Sequence, residues 1–188
     1  MHYGNIKYCD IANGEGVRTT LFVSGCSHHC AGCFQPETWD FSFGEPFTDA
    51  VADAVIESLQ PSWIDGLTFL GGEPMEPENQ ACVLALVRRV RSSCPGKTVW
   101  CYTGDVYEDL ANPASPRHTA CTDELLASLD VLVDGPYVEA LHDVSLRFRG
   151  SRNQRVIDMP ATRAAGSVVL WSDGTMYASH DLAPTAAG

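Results

Sequence analysis

Three cysteines, Cys26, Cys30 and Cys33, fall within eight consecutive residues at the spacing C-x3-C-x2-C, in the stretch Ser24-Gly25-Cys26-Ser27-His28-His29-Cys30-Ala31-Gly32-Cys33-Phe34. A short loop carrying three thiolates can wrap around a single metal centre. A structural zinc site takes four protein ligands. An electron-transfer iron–sulfur cluster likewise uses four cysteines, so three of them leave one iron of a cubane open. An open coordination position is where a substrate binds, as it is in catalytic zinc sites. Spacing alone leaves three readings: an iron–sulfur cluster with an open iron, a structural zinc completed by His28, His29 or a distant cysteine, and unliganded core thiols. His28 and His29 read as loop residues rather than ligands. The other five cysteines (Cys9, Cys82, Cys94, Cys101 and Cys121) show no pairing pattern, and most of them read as small core hydrophobes.

A second constellation, Gly71-Gly72-Glu73-Pro74, follows the apolar run Leu67-Thr68-Phe69-Leu70. Alone it is a turn. After a buried strand, glycines let backbone amides and carbonyls approach a ligand closely, and Glu73 adds an anionic acceptor suited to an ammonium group. A third feature is a basic island: Arg147, Arg149, Arg152 and Arg155 place four of the 12 basic residues within nine positions, with no acid from Val144 to Ile157. Two uses stay open for it: holding a carboxylate or docking a partner, and pairing with nearby acids on a solvated surface. Arg18 raises the same question.

Groups of this kind need strands to hold them. Short apolar, β-branched runs occur at Thr20–Val23, Leu67–Leu70, Thr98–Tyr102, Val131–Val133 and Val168–Trp171, as in buried strands of a parallel sheet. Helical patterns lie between them. One starts at Thr48, a fitting N-cap, and stops at Pro61; another covers about Glu76 to Ser93; a short third begins at Thr122. Alternating strands and helices predict right-handed βαβ units. A full eight-unit barrel needs ~250 residues, so an α/β fold with a partial (open) parallel β/α barrel or a doubly wound sheet is expected. Ligands then belong at the carboxyl ends of the strands. With 188 residues, a single domain over 1–172 is expected, with 173–188 as a flexible, irregular C-terminal tail.

Charge narrows the partners. With 24 acidic against 12 basic residues, a net charge of −12 and only Lys7 and Lys97 as lysines, counterion release on nucleic acid has little to work with. No run of 18 apolar residues predicts a membrane span, and the first 20 residues carry no apolar signal core. A cytoplasmic protein is expected, where reduced thiols make cysteine spacing a matter of metal or catalysis rather than disulfides.

Several stretches together resemble the radical S-adenosylmethionine superfamily, and within it the activating proteins of anaerobic (class III) ribonucleotide reductases. Asp10-Ile11-Ala12-Asn13-Gly14-Glu15-Gly16-Val17-Arg18 is similar to that family's D-I-x-N-G-x-G-x-R. The cysteine loop, Pro36-Glu37-Thr38-Trp39 and Gly71-Gly72-Glu73-Pro74 follow it. Val131-Leu132-Val133-Asp134-Gly135-Pro136 then leads to Arg149-Gly150-Ser151-Arg152-Asn153-Gln154-Arg155, similar to R-G-S-x-N-Q-R. The resemblance covers about residues 3 to 160. Gly32 stands where many of the superfamily place an aromatic residue, and Gln35 where asparagine is common; neither is a cluster ligand.

The resemblance implies a glycyl-radical activase. Cys26, Cys30 and Cys33 would hold three irons of one [4Fe-4S] cluster, with S-adenosylmethionine on the fourth. The backbone around Gly32 and Phe34 would line the adenine side, and Gly71, Gly72 and Glu73 would receive the methionyl ammonium. Reductive cleavage would give a 5′-deoxyadenosyl radical that takes hydrogen from a glycine of the anaerobic ribonucleotide reductase. A reducing donor such as flavodoxin would supply the electron, and no catalytic side chain is required. The alternatives are an activase of another glycyl-radical enzyme, a small-molecule enzyme of the deazaguanine type, and a structural zinc-binding adaptor.

Overall fold

In a computed structural model of the chain, which describes residues 1–172, the four central apolar runs become the parallel heart of one sheet. The expected tail, 173–188, lies outside the described residues. The strands are β1 (His2–Asp10), β2 (Arg18–Val23), β3 (Glu45–Pro46), β4 (Gly66–Gly71), β5 (Thr98–Tyr102), β6 (Val131–Asp134) and β7 (Arg155–Asp158). The helices are α1 (Asp49–Ser58), α2 (Pro77–Ser93), α3 (Tyr107–Leu110), α4 (Thr122–Ala127) and α5 (Met159–Ala165). The sheet order is β3-β1-β2-β4-β5-β6-β7.

Strands β2, β4, β5 and β6 pair in parallel, with Val23 opposite Gly71 and Tyr102 opposite Val133. Their carboxyl ends therefore share one edge of the sheet. Alternation along each strand sorts the two faces. Leu21, Val23, Leu67, Phe69, Val99, Cys101 and Leu132 join the main core with Val55, Val83 and Val87 of the helices. Trp100, Val131, Val133 and Val156 form a second cluster, against which Tyr102, Phe148 and Trp171 pack.

Local chemistry sets the helix ends. Thr48 Oγ1 accepts from Val51 N at 3.4 Å and caps α1, which ends before Pro61. Pro77 opens α2, where no N–H is needed, and the helix runs to Ser93, just before Cys94-Pro95-Gly96.

Two expectations need correction. The sheet is mixed rather than all parallel: β1 runs antiparallel to β2 and to β3, and β7 antiparallel to β6. Its openness agrees with the expectation: β3 and β7 lie at its edges, and the α/β class and the parallel centre hold, with no barrel curvature established among the described residues. The run at 168–171 is not a strand. Gly166, with φ 66°, ends α5 and turns the chain back, and only the bridge Ile157–Leu170 forms against β7. Leu170 there is exposed. Strands β1 and β7 escaped the apolar pattern because β1 is half-exposed with polar residues throughout and β7 has only four residues. No helix among the described residues is long and apolar enough to cross a membrane.

Candidate metal and cofactor site

A cavity of about 400 Å³ opens at the carboxyl ends of the parallel strands. Cys26, Cys30 and Cys33 line it together with Phe34, Gly71, Gly72 and Glu73, which are seven of the eight residues expected at the site. Gly32 does not line it; it sits in the left-handed region (φ 75°) beside the Glu139 carboxyl. Phe34 stands at the mouth with 86% of its surface exposed. All three cysteines are free thiols.

The cysteine loop is zipped to its neighbours by backbone bonds. Gly25 N donates to Thr38 O (2.8 Å), Gly72 N to Val23 O (2.8 Å) and Glu73 N to Gly25 O (2.8 Å). A β-carbon on Gly72 would lie 2.7 Å from Gly25 O and 2.9 Å from Thr38 O, so only glycine permits this approach. Cys33 N donates to Cys30 O (3.1 Å), closing the turn between the second and third thiols. The His29 ring stacks on Trp39 at 4.5 Å. Glu76, the residue before α2, tethers the loop again: its Oε1 accepts from Ser27 N (2.7 Å) and Ser27 Oγ (2.6 Å).

Behind the loop lies a charge network that the sequence did not announce. Glu73 is 1% exposed, and its two oxygens accept from Met75 N (2.8 Å) and Gly104 N (2.7 Å). His28 Nε2 lies 3.1 Å from Glu73 and 3.4 Å from Asp105. Arg117 reaches in from the 112–118 loop, donating to Glu76 (2.5 Å) and Asp105 (3.0 Å), with Nη2 3.0 Å from His28. Three carboxylates outnumber one guanidinium. Hydrogen bonds to Asp105 and Glu73 accordingly raise the His28 pKa to about 10, and its imidazolium supplies the second positive charge. His28 is thus more than loop filling. Arg117 and Asp105 belong to no motif; the one sequence hint was that Glu76 lies close behind Gly71-Gly72-Glu73-Pro74.

The basic island divides. Arg155 pairs with Asp134 (2.9 and 2.5 Å) and Glu108 (3.0 and 2.7 Å). Arg147 lies over the Phe148 ring, 4.5 Å from its centroid. Arg149 lines the cavity. Around it the chain forms an arch pinned to the end of β6: Gln154 Oε1 accepts from Gly150 N (2.9 Å) and Ser151 N (3.1 Å), Gln154 Nε2 donates to Gly135 O (3.1 Å), and Asn153 Nδ2 donates to Pro136 O (2.7 Å). Arg18 serves elsewhere. Buried, it donates to Thr68 Oγ1, Leu67 O and Thr98 O, tying β2, β4 and β5 together.

The chain is 42% identical over 158 residues to the anaerobic ribonucleoside-triphosphate reductase-activating protein of Escherichia coli strain K12, covering 83% of this chain and 97% of that one. The chain belongs to this activating-protein family. The activating protein of Vibrio cholerae is 40% identical over 156 residues (82% of this chain, 96% of the relative), and that of Enterobacteria phage T4 is 38% identical over 156 residues (83% and 93%). A family model described as a 4Fe-4S single cluster domain matches residues 12–157. That span takes in the cysteine loop, the glycine turn and the arch of this member of the activating-protein family.

The cavity suits such a group. Burial, first, raises the pKa of the Cys26 thiol to about 11, with the backbone near His28 pulling the other way and the Glu73 charge adding to the rise. A metal would displace that proton, as thiolate ligation requires. Three free thiols lining one cavity, with no fourth cysteine among the described residues that line it, would fit a cluster holding one open iron.

Proposed function

We propose that this chain activates an anaerobic ribonucleotide reductase by generating a glycyl radical on it. The observation that carries the reading is the placement of Cys26, Cys30 and Cys33 around the same cavity as the Gly71–Glu73 turn, at the carboxyl ends of parallel strands. Cys26, Cys30 and Cys33 would hold three irons of a [4Fe-4S] cluster. Such a cluster, reduced by a donor such as flavodoxin, would supply the one-electron reductive cleavage of S-adenosylmethionine, whose products would be methionine and the 5′-deoxyadenosyl radical needed to take a hydrogen atom from a reductase glycine.

The protein's residues orient and shield. Peptide groups at Gly71 and Gly72 meet the methionyl ammonium. Glu73, with its oxygens engaged by Met75 N and Gly104 N, contributes a fixed negative charge there. Phe34, at the mouth, offers an apolar flank for adenine; Gly32 shapes the turn before it without lining the cavity. The zipped loops hold the three thiols in place, and no side chain transfers a proton, so none is assigned as catalytic.

The test is anaerobic reconstitution followed by mixing the reduced protein with S-adenosylmethionine and the reductase of the same organism. Electron paramagnetic resonance should show a glycyl doublet on the reductase. Cofactor cleavage without the doublet would redirect the activity to another glycyl-radical enzyme or to a small molecule. A colourless protein with zinc and no sulfide would leave only a structural adaptor.

A further inference from the structure

We propose that Arg149 is the counter-charge for the α-carboxylate of the sulfonium amino acid in this cavity, a positioning role that rests on the cofactor reading above. Among the described residues lining the cavity, two carry positive charge, His28 and Arg149. His28 is committed to Glu73 and Asp105. The Arg149 guanidinium is not spent: Nη1 donates to Gln154 O at 2.8 Å, whereas Nε is buried without a partner. A buried guanidinium N–H left idle is unfavourable, and a carboxylate is the planar acceptor its fork fits.

Position agrees with chemistry. The amino acid end of S-adenosylmethionine carries an ammonium and a carboxylate on one carbon. The Gly71–Glu73 turn, at the end of β4, offers negative charge. The arch carrying Arg149 is pinned past the end of β6 through Gln154 and Gly135, with β5 between the two. The two opposite charges of the ligand thus meet opposite charges on two rims of one cavity. The other arginines of the island do not compete, since Arg155 is held by Asp134 and Glu108, Arg147 lies over Phe148, and Arg152 is exposed and does not line the cavity.

The experiment measures dissociation constants of the reconstituted holoprotein for S-adenosylmethionine and for its decarboxylated form, by anaerobic calorimetry, in wild type, R149Q and R149K. Wild type should prefer the carboxylate-bearing ligand. R149Q should bind S-adenosylmethionine about 10- to 100-fold more weakly and lose the preference by a similar factor, the worth of a charge-assisted hydrogen bond. R149K, which keeps the charge but not the fork, should recover part of both. If R149Q does not retain its cluster, R149K carries the comparison. A variant whose preference equals that of wild type overturns the assignment. So does an R149Q that binds both ligands normally but binds the reductase weakly, since the guanidinium would then face the partner. Wild type binding neither ligand would instead overturn the cofactor reading itself, and the assignment with it.

Discussion

The thiols of the cysteine loop and those elsewhere differ in what surrounds them, and substitution should separate them. Cys26→Ala, Cys30→Ala or Cys33→Ala should each abolish stoichiometric iron and sulfide uptake, whereas Cys9→Ser and Cys82→Ser should leave it intact, as checked by metal analysis after anaerobic reconstitution. Cys101 is fully buried in the main core, so any change there tests packing instead. Arg18 shows the opposite case, a charge kept for structure. Burial lowers its pKa to about 10, which leaves it charged at neutral pH. Arg18→Met should strand the carbonyls of Leu67 and Thr98 without donors and cost about 2–4 kcal/mol in urea unfolding. The cysteines could be read from sequence because three ligands in eight residues form one local pattern. The buried role of Arg18 could not, since its partners lie some 50 and 80 residues away.

At the level of elements, the site depends on loops fastened to one another rather than on any one of them. Gly72→Ala would drive a β-carbon into Gly25 O and Thr38 O; we expect a loss of about 1–3 kcal/mol in thermal or urea unfolding and faster cluster loss in air, followed by the visible absorbance. Arg117→Ala should act from farther away. It leaves Glu76, Asp105 and Glu73 facing one imidazolium, and removing one member of a buried ionic cluster costs about 3–5 kcal/mol. The expected result is a lower melting temperature together with release of the Ser27 tether, seen as faster proteolysis of the cysteine loop. The helices α1, α2 and α4 were legible because Thr48, Pro61, Pro95 and the apolar spacing mark them. The edge strands were not: β1 and β7 gain their order from pairing with β2 and β6, and a half-exposed strand carries no long apolar run.

For the molecule as a whole, the net charge of −12 sets the response to salt and acid. Self-repulsion predicts that raising sodium chloride from about 0.05 to 0.5 M at pH 7 raises the melting temperature. Acid should act in the opposite sense on specific pairs. The Arg155 hydrogen bond holds the Glu108 carboxyl below its ordinary range, and the Arg88 hydrogen bond does the same for Glu124. Groups with lowered folded pKa values stabilise fully above the unfolded value near ~4.3 and lose that contribution as pH falls through the folded one. Unfolding midpoints should therefore decline below about pH 5, and Arg155→Gln should flatten that decline. By itself the sequence determined the cysteine and glycine motifs, the α/β class and the parallel centre, because each is written in short-range spacing and periodicity. The tertiary structure was needed to show that Arg149 lines the cavity while Arg155 pairs with Asp134 and Glu108, that His28, Glu73, Asp105 and Arg117 share one network, and that the open sheet has antiparallel edges. Those outcomes depend on which distant segments meet, and burial and charge pairing act on residues that are neighbours in space rather than along the chain.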